Sequence, residues 1–461
     1  MGQAVTKLTI PTVAFTTLGC PKNEVDTDLM RKAVEAAGYY SSEYSDEVGN
    51  SADAIVVNTC SFIQEATEAS IEAIFDALAL TLPSGSATQK ERPPVIVAGC
   101  IVNRYAEDLS EEMPEVTAFI KVGDTDALVK VLRDCLPAAS QLPIVRAETE
   151  ARSYEYLRIA DGCDRKCTFC TIPSIRGSYV SREPEDILTQ AQALVDAGTY
   201  ELIVIAQDIS RYGTDLETDT NLIHLLNQLA VIPKLKRLRL MYLQPEGLTD
   251  ELLQTMAKHS TIVPYLEIPL QHIASRILKA MGRNPRDVEN FQVQLAKARE
   301  LMPDLTVRTT LIAGFPGETA EEFNQLCVFV EEASFDYVGV FPYSPEDETR
   351  AAELPDQLDD SLRLERAQYI RDLADQIGWQ STADRIGQEL EVLVEGHDSA
   401  EGVLVARAAH QTPDIDGIVR ITPPKDSSIE DFFATYEVNS YLKVEFVDSL
   451  LYDMDAIPTS A

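Results

Sequence analysis

The chain has 461 residues, 45% of them hydrophobic. At roughly 100–200 residues per domain that means two to four domains, each with a core. Lys and Arg number 39 against 75 Asp and Glu, a net charge of −36. Such acidity disfavours a general binder of phosphate backbones, which needs basic side chains for counterion release; an acidic surface serving only solubility is the competing reading. No basic segment followed by an apolar run opens the chain, and no apolar run nears the ~18 residues of a spanning helix. The expectation is a cytoplasmic chain with no membrane partner. In that reducing compartment its eight cysteines are expected as metal ligands or catalysts rather than disulfides.

Residues 1–145 alternate short β-rich runs, at 12–15, 54–57 and 95–98, with helical stretches at 25–37 and 71–80. Buried strands separated by helices predict a parallel α/β sheet. Residues 82–94 read as a loop and 137–149 as a linker. From about 150 to about 350 the alternation repeats on a larger scale, with strands expected at 156–160, 202–206, 238–242, 265–268, 306–312 and 337–341. Six such units fit a partial (β/α)6 barrel, a fold that places its chemistry at the C-terminal ends of its strands. Within it, Pro184 suits the first turn of a helix whose one face carries Ile187, Leu188, Ala191, Leu194 and Val195. A charged helix over 360–382 leads into 383–461. There apolar alternation at Leu390, Val392 and Val394, at Val403 and Val405, at Ile418, Val419 and Ile421, and at Leu442, Val444 and Phe446 predicts a small all-β, OB-like barrel.

The first chemical constellation is Gly162-Cys163-Asp164-Arg165-Lys166-Cys167-Thr168-Phe169-Cys170, directly after an expected strand. Three thiolates in eight residues can surround one iron–sulfur cluster and leave one iron open. Structural zinc would want a fourth ligand, usually in paired short spacings, and a ferredoxin-like carrier would want four cysteines per cluster. The second constellation is dispersed: Cys20, Cys60 and Cys100 each stand just after one of the three N-terminal strands. A parallel sheet gathers all its C-terminal strand ends on one edge, where ligands bind. The alternative is three small buried hydrophobes. Cys135 and Cys327 fit neither set and read as structural. Arg239 and Arg308, at strand positions, suit either bidentate capture of a carboxylate or structural ion pairs.

The Cys163-x3-Cys167-x2-Cys170 spacing, with Phe169 before the last cysteine, resembles the signature of the radical S-adenosylmethionine superfamily. The resemblance implies a [4Fe-4S] cluster on those three cysteines whose open iron chelates S-adenosylmethionine, with Phe169 near the adenine. Leu311-Ile-Ala-Gly314-Phe-Pro-Gly317-Glu318 resembles the turn beside the adenine in that superfamily, which would make Gly314 a cofactor-binding position. Taken without the resemblance, Phe169 is a core aromatic and the glycine turn an ordinary strand-to-helix connection.

Leu18-Gly19-Cys20-Pro21-Lys22-Asn23-Glu24-Val25-Asp26 and Asn58-Thr59-Cys60 resemble the N-terminal domain of the methylthiotransferase family. This implies a second [4Fe-4S] cluster on Cys20, Cys60 and Cys100 that carries the transferred sulfur. The implied domains are a methylthiotransferase N-terminal domain (1–145), a radical S-adenosylmethionine domain (146–382) and a TRAM domain (383–461). Gly19-Cys-Pro-Lys-Asn23, Ile172-Pro-Ser-Ile-Arg-Gly177, Tyr265-Leu-Glu-Ile-Pro-Leu-Gln-His272 and Leu354-Pro-Asp-Gln357 resemble the branch acting on ribosomal protein S12 (RimO type) rather than the branches acting on tRNA. Two departures are visible: Thr27-Asp28 stands where Ser-Glu is usual, and Thr171 where an apolar residue is usual.

The implied reaction uses one S-adenosylmethionine to methylate sulfur at the second cluster and another to make a radical at the first. That radical takes hydrogen from the β-carbon of an aspartate of S12, which then receives the methylthio group. Both clusters and the target carbon would have to share one water-poor cavity, which residues 172–179 are candidates to line. The implied partners are S12, free or in the small subunit, and a reductant protein; the sequence names no sulfur donor. Residues 383–461 carry five Lys and Arg against sixteen Asp and Glu. That balance suits a basic protein and predicts weak or absent direct RNA binding. The alternatives are a tRNA adenosine methylthiotransferase and, outside enzymes, a two-cluster electron-transfer protein.

Overall fold

The computed structural model describes residues 10–45, 51–80, 92–136, 152–424 and 427–459. The expected loop at 82–94, apart from its last three residues, lies outside them, as do the linker at 137–149 and the expected boundary at 145/146. The described residues form two compact units. One holds those up to 136 together with 162–164 and 170–178, and the other holds 152–161, 165–169 and 179–459.

In the first unit, β1 (Thr12–Thr17), β2 (Tyr40–Glu43), β3 (Ala54–Thr59), β4 (Val95–Gly99) and β5 (Ala118–Ile120) pair in parallel in the order β2-β1-β3-β4-β5. Every residue of β3 and β4 is buried, because both faces of the sheet carry a core. Val13, Phe15, Val56, Ile96 and Ala98 pack on one side, and Ala14, Ile55, Val57, Val95 and Val97 on the other. The edge strands β2 and β5 escape the sequence pattern because each buries a single residue, Ser41 and Ile120. The strand order reverses between β1 and β3, so the C-terminal edge opens a crevice there.

In the second unit, β6 (Tyr154–Arg158) is followed by a short antiparallel pair, β7 (Ala160–Asp161) and β8 (Val180–Ser181). Then come β9 (Glu201–Ile205), β10 (Arg237–Leu240), β11 (Tyr265–Gln271), β12 (Thr306–Ala313) and β13 (Tyr337–Pro342). Two three-stranded parallel sheets result, β10-β9-β6 and β11-β12-β13. A bridge from Leu238 to Ile262 and a bond from Leu243 N–H to Glu267 O link them. Leu157, Val204, Leu240, Ile268, Leu311 and Val340 share one core inside this partial barrel. The helix Pro184–Asp196 buries Ile187, Ala191 and Val195 against it.

The helix Asp360–Ala383 leads to a closed barrel of β14 (Glu389–Asp398), β15 (Val403–Arg407), β16 (Val419–Ile421), β17 (Tyr441–Leu450) and β18 (Asp453–Pro458). Its core is Val392, Val394, Leu404, Ala406, Val444 and Phe446, with Met454 and Ala456 from β18. The sequence pattern missed β18, whose inward residues alternate with two aspartates, and the helix Ile429–Thr435.

Buried charge joins this closed barrel to the larger one. Arg239 donates to Glu201 at 2.7 Å, Arg407 reaches Glu201 at 2.8 Å and Glu395 at 2.8 Å, and Arg308 reaches Asp416 at 2.5 Å. Arg239 and Arg308 are therefore held in structural ion pairs. Among the described residues, no helix is long and apolar enough to cross a membrane.

Candidate functional site

Each of the three adjacent strands β1, β3 and β4 delivers one cysteine at its C-terminal end. Cys20 caps the helix Pro21–Ala36, with Pro21 at a first-turn position where its missing N–H costs nothing. Cys60 follows β3 and is pinned by Ser70, whose hydroxyl accepts from Cys60 N–H at 3.0 Å and donates to Cys60 O at 2.8 Å. Cys100 opens the helix Cys100–Glu112. Two glycines permit the close approach. Gly19 has φ +98°, and a Cβ there would lie 2.6 Å from Cys60 Cβ; Gly99 has φ +98°, and its Cβ would lie 2.4 Å from Asn58 Oδ1.

A polar lattice ties these ends together. The amide of Asn23 donates to Leu18 O at 2.7 Å and Thr59 O at 3.0 Å. Asn58 returns the arrangement, donating to Asn23 O at 2.8 Å and to Thr27 Oγ1 at 2.9 Å. Thr27 also pairs with Thr17 at 2.7 Å, so threonine in place of the usual serine keeps the hydroxyl that the site uses. Cys100 Sγ donates to Asn23 Oδ1 at 3.7 Å. Burial pushes the Cys100 thiol up to about 12; Arg176 opposes this, while the nearby Cys60 and Cys20 add to it. Burial likewise raises Cys60.

These thiols fit a multi-iron cluster better than a lone ion. A cluster spreads its ligands over several irons, whereas zinc draws four donors to about 2.0–2.3 Å of one centre. Gathered soft donors, two of them desolvated, are what such a cluster takes.

The local cysteine loop is built piecewise. Cys163 is buried, and its N–H donates to Gly177 O at 3.1 Å. Gly162, with φ +75°, lies so close to Ser178 O that a Cβ would sit 2.0 Å away. Cys170 Sγ accepts from Ile172 N–H at 3.5 Å. Thr171, buried, has no partner for its hydroxyl among the described residues, as befits a position usually apolar.

In the other unit the residues around Cys167 are clamped by the end of the helix Ser275–Ala280 and by the turn at 350–351. Thr168 donates from N–H to Met281 O at 3.0 Å and from Oγ1 to Ala280 O at 2.8 Å, and it accepts from Ala351 N–H at 2.9 Å. Arg350 donates to Lys166 O at 2.6 Å, and Arg165 pairs with Asp208 at 2.7 Å and with Glu246. Arg283 points a guanidinium at Cys167 Sγ, 3.9 Å away, while donating to Gln244 at 2.8 Å and to Pro269 O at 3.0 Å.

Phe169 packs against Ala274, Ile277, Met281, Phe315 and Tyr343 at the ends of β11, β12 and β13. Gly314 has φ +76°, and the atoms crowding its α-carbon belong to Arg363, whose Cα would be 2.9 Å from an added Cβ. Its N–H donates to Glu318 at 3.0 Å, and Glu318 also accepts from Arg366 at 2.7 Å. Cys327 lies in the barrel core and Cys135 against the N-terminal core. The sequence reading gave no role to Asn23, Asp26, Asn58 or Arg283, and placed Arg176 only in a segment expected to line the cavity. The signal for the first three was their place in the quoted motifs; for Arg283 there was none.

A parallel sheet with three cysteines on one edge, a partial barrel with a three-cysteine loop and a closed β-barrel define a three-part radical S-adenosylmethionine protein. Family models agree: the radical SAM superfamily matches residues 157–330, an uncharacterized protein family, UPF0004, matches 12–121, and the TRAM domain matches 386–457. The ribosomal protein uS12 methylthiotransferase RimO of Trichlorobacter lovleyi is 37% identical over 96% of this chain and 97% of its own length. That of Geobacter sulfurreducens is 38% identical with the same coverage, and that of an Anaeromyxobacter species 39% identical over 88% of this chain and 86% of its own. Among solved structures, the radical S-adenosylmethionine methyltransferase TsrM of Kitasatospora setae, with cobalamin and a [4Fe-4S] cluster bound, superposes with a TM-score of 0.52 at 15% identity. It covers 73% of this chain and 77% of its own, a likeness of fold alone. The chain belongs to the ribosomal protein uS12 methylthiotransferase RimO family.

Proposed function

We propose that this chain transfers a methylthio group to the β-carbon of an aspartate of ribosomal protein S12, with S-adenosylmethionine as both methyl and radical source. The observation that carries the reading is the delivery of Cys20, Cys60 and Cys100 by three adjacent parallel strands to one sheet edge. Those cysteines would hold one [4Fe-4S] cluster and Cys163, Cys167 and Cys170 another, in domains divided at 145/146 and 382/383. Clusters at these positions supply reductive cleavage of S-adenosylmethionine at the second trio and sulfur at the first. The chain's own residues bind and orient. Asn23 and Asn58 fix the strand ends that carry the first trio. Arg283 and the Thr168 clamp fix Cys167, and Phe169 and Gly314 sit at the end of the partial barrel where the cofactor would bind. The reading places the chain in the cytoplasm, with a reductant protein supplying electrons.

The closed barrel supports a protein substrate over RNA. Its four described basic side chains are all engaged: Arg385 with Asp336, Arg407 with Glu201 and Glu395, Arg420 with Asp455 and Asp453, and Lys443 with Glu389. A groove that tracks nucleic acid needs free cations with stacking aromatics. A basic protein suits instead a segment whose sequence holds sixteen acidic residues against five basic ones.

The test is to rebuild the clusters anaerobically and offer free S12, assembled small subunits and anticodon stem-loop RNA in separate reactions. A methylthio mass gain on an S12 peptide is expected, and modification of RNA alone would overturn the substrate. The ligands are tested by iron content, expected near eight per chain and near four after Cys163→Ala/Cys167→Ala/Cys170→Ala. Unchanged iron in that variant would overturn the assignment.

A further inference from the structure

Arg176 is the last residue of the short helix Ile172–Arg176 that follows the local cysteine loop. Its guanidinium is turned inward, with 2% of the side chain exposed, and ends among the residues that frame Cys100. Nη2 donates to Asp26 Oδ2 at 2.7 Å and to Asn23 Oδ1 at 3.0 Å, and lies 4.0 Å from Cys100 Sγ. Asn23 Oδ1 is also the acceptor for Cys100 Sγ, so one amide oxygen serves both the arginine and the sulfur. A second bond secures the helix: Asn103 Nδ2 donates to Ile175 O at 2.7 Å, while Asn103 Oδ1 accepts from Val122 N–H at 3.0 Å. Arginine keeps its charge under all ordinary conditions. A buried permanent cation this close to a sulfur, paired with the Asp26 carboxylate, is more than a surface tether requires.

We propose that Arg176 is a positioning residue for the Cys20/Cys60/Cys100 centre: it fixes the Asn23 side chain, whose amide ties the strand ends leading to Cys20 and Cys60, and, balanced by Asp26, sets the electrostatic potential at the cluster. The inference rests on the reading that these three cysteines hold one. Net charge near a cluster and hydrogen bonds to its sulfurs are the levers by which a protein sets reduction potential. Removing the cation makes an added electron less welcome and lowers the potential. Removing the opposing carboxylate leaves the cation unbalanced and raises it. A residue that served only as a structural tie would behave differently, because breaking the Arg176–Asp26 pair from either side would then loosen the same contact and move the centre the same way.

The test uses the full chain carrying Cys163→Ala/Cys167→Ala/Cys170→Ala, so that a single cluster titrates. Into it go Arg176→Met, Arg176→Lys and Asp26→Asn, each reconstituted anaerobically. Iron per chain is measured, with midpoint potential from a dithionite titration followed by electron paramagnetic resonance. The expected result is a negative shift for Arg176→Met, a smaller negative shift for Arg176→Lys, which keeps the charge but loses the fork, and a positive shift for Asp26→Asn. If Arg176→Met retains no iron, the opposed shifts of Arg176→Lys and Asp26→Asn still decide. Potentials that stay put, or move in one direction for both partners, overturn the role of Arg176. A parent chain that binds no iron overturns the ligand reading itself.

Discussion

Arg239 donates through Nε to Glu201 Oε1 at 2.7 Å, and neither side chain is exposed at all. Arg407 approaches the same carboxylate at 2.8 Å from the closed barrel, and Arg237 at 3.8 Å. Burial alone would raise the Glu201 carboxyl, but Arg239, Arg407 and Arg237 together bring it down to about 2. Glu201→Gln leaves three guanidinium groups facing a neutral amide, and removing one member of a buried pair costs about 3–5 kcal/mol. The sign with pH follows from the depressed value: the contribution is whole above the unfolded carboxyl near 4.5 and is lost as pH falls towards about 2. Urea unfolding should therefore show a constant gap between wild type and Glu201→Gln from pH 8 to about pH 5, narrowing below it. A gap that widens in acid would contradict the pairing.

His410 carries the opposite lesson. It is buried beside Phe446, with ring centroids 6.1 Å apart. Burial holds its imidazole well below the usual 6.5, and Arg385, Arg239 and Arg237 push in the same direction. The unfolded chain then binds a proton that the folded chain refuses. Stability is complete above 6.5 and declines as pH falls below it, by up to about 1.4 kcal/mol per pH unit. His410→Phe should flatten the fall in melting temperature between pH 7 and pH 5. An equal slope in the variant would assign that fall to other groups.

Arg283 reaches Cys167 Sγ at 3.9 Å while anchored on Gln244 and Pro269 O. In a chain carrying Cys20→Ala/Cys60→Ala/Cys100→Ala, Arg283→Met should weaken iron retention against a chelator by roughly 10–100-fold, the usual cost of losing an outer partner of a metal ligand. Arg283→Lys should fall between. Equal retention in all three would make Arg283 irrelevant to the local centre.

Gly314 and Gly317 offer a matched comparison, with φ +76° and +74°. A Cβ on Gly317 meets Arg276 Nη1 at 3.4 Å and Asp356 Cβ at 3.9 Å, whereas one on Gly314 meets the backbone of Arg363 at 2.9 Å. Gly317→Ala should cost about 1–3 kcal/mol of backbone strain. Gly314→Ala should cost more, and Arg363→Ala should not rescue it, because the Cα remains in place. Thermal melts of the four variants decide.

Legibility followed the strength of the local signal. The interior strands β3 and β4 were readable because every residue is buried and apolar runs result, while β2 and β5 vanish into ordinary sequence because each buries one side chain. Cys163, Cys167 and Cys170 announce themselves by spacing. Cys20, Cys60 and Cys100 emerge only when three strands are set side by side. Arg176 and Arg283 make contacts across 76–153 and 116 residues of chain respectively, and no local pattern encodes such a meeting. Arg239 and Arg308 were visible as charges at strand positions, but their partners, Glu201 in β9 and Asp416 in the C-terminal segment, were not.

Glu201 begins a strand of the larger barrel, and Arg407 ends one of the smaller. Tyr265 and Arg308 likewise share Asp416. A C-terminal segment borrowed from a relative would fit this chain only if it brought an arginine and an aspartate to those two places. Residues 383–461 are thus matched to the barrel they follow. A chimaera joined at residue 383 should express as a folded hybrid when both partners travel together, and should aggregate or be clipped when either is left behind.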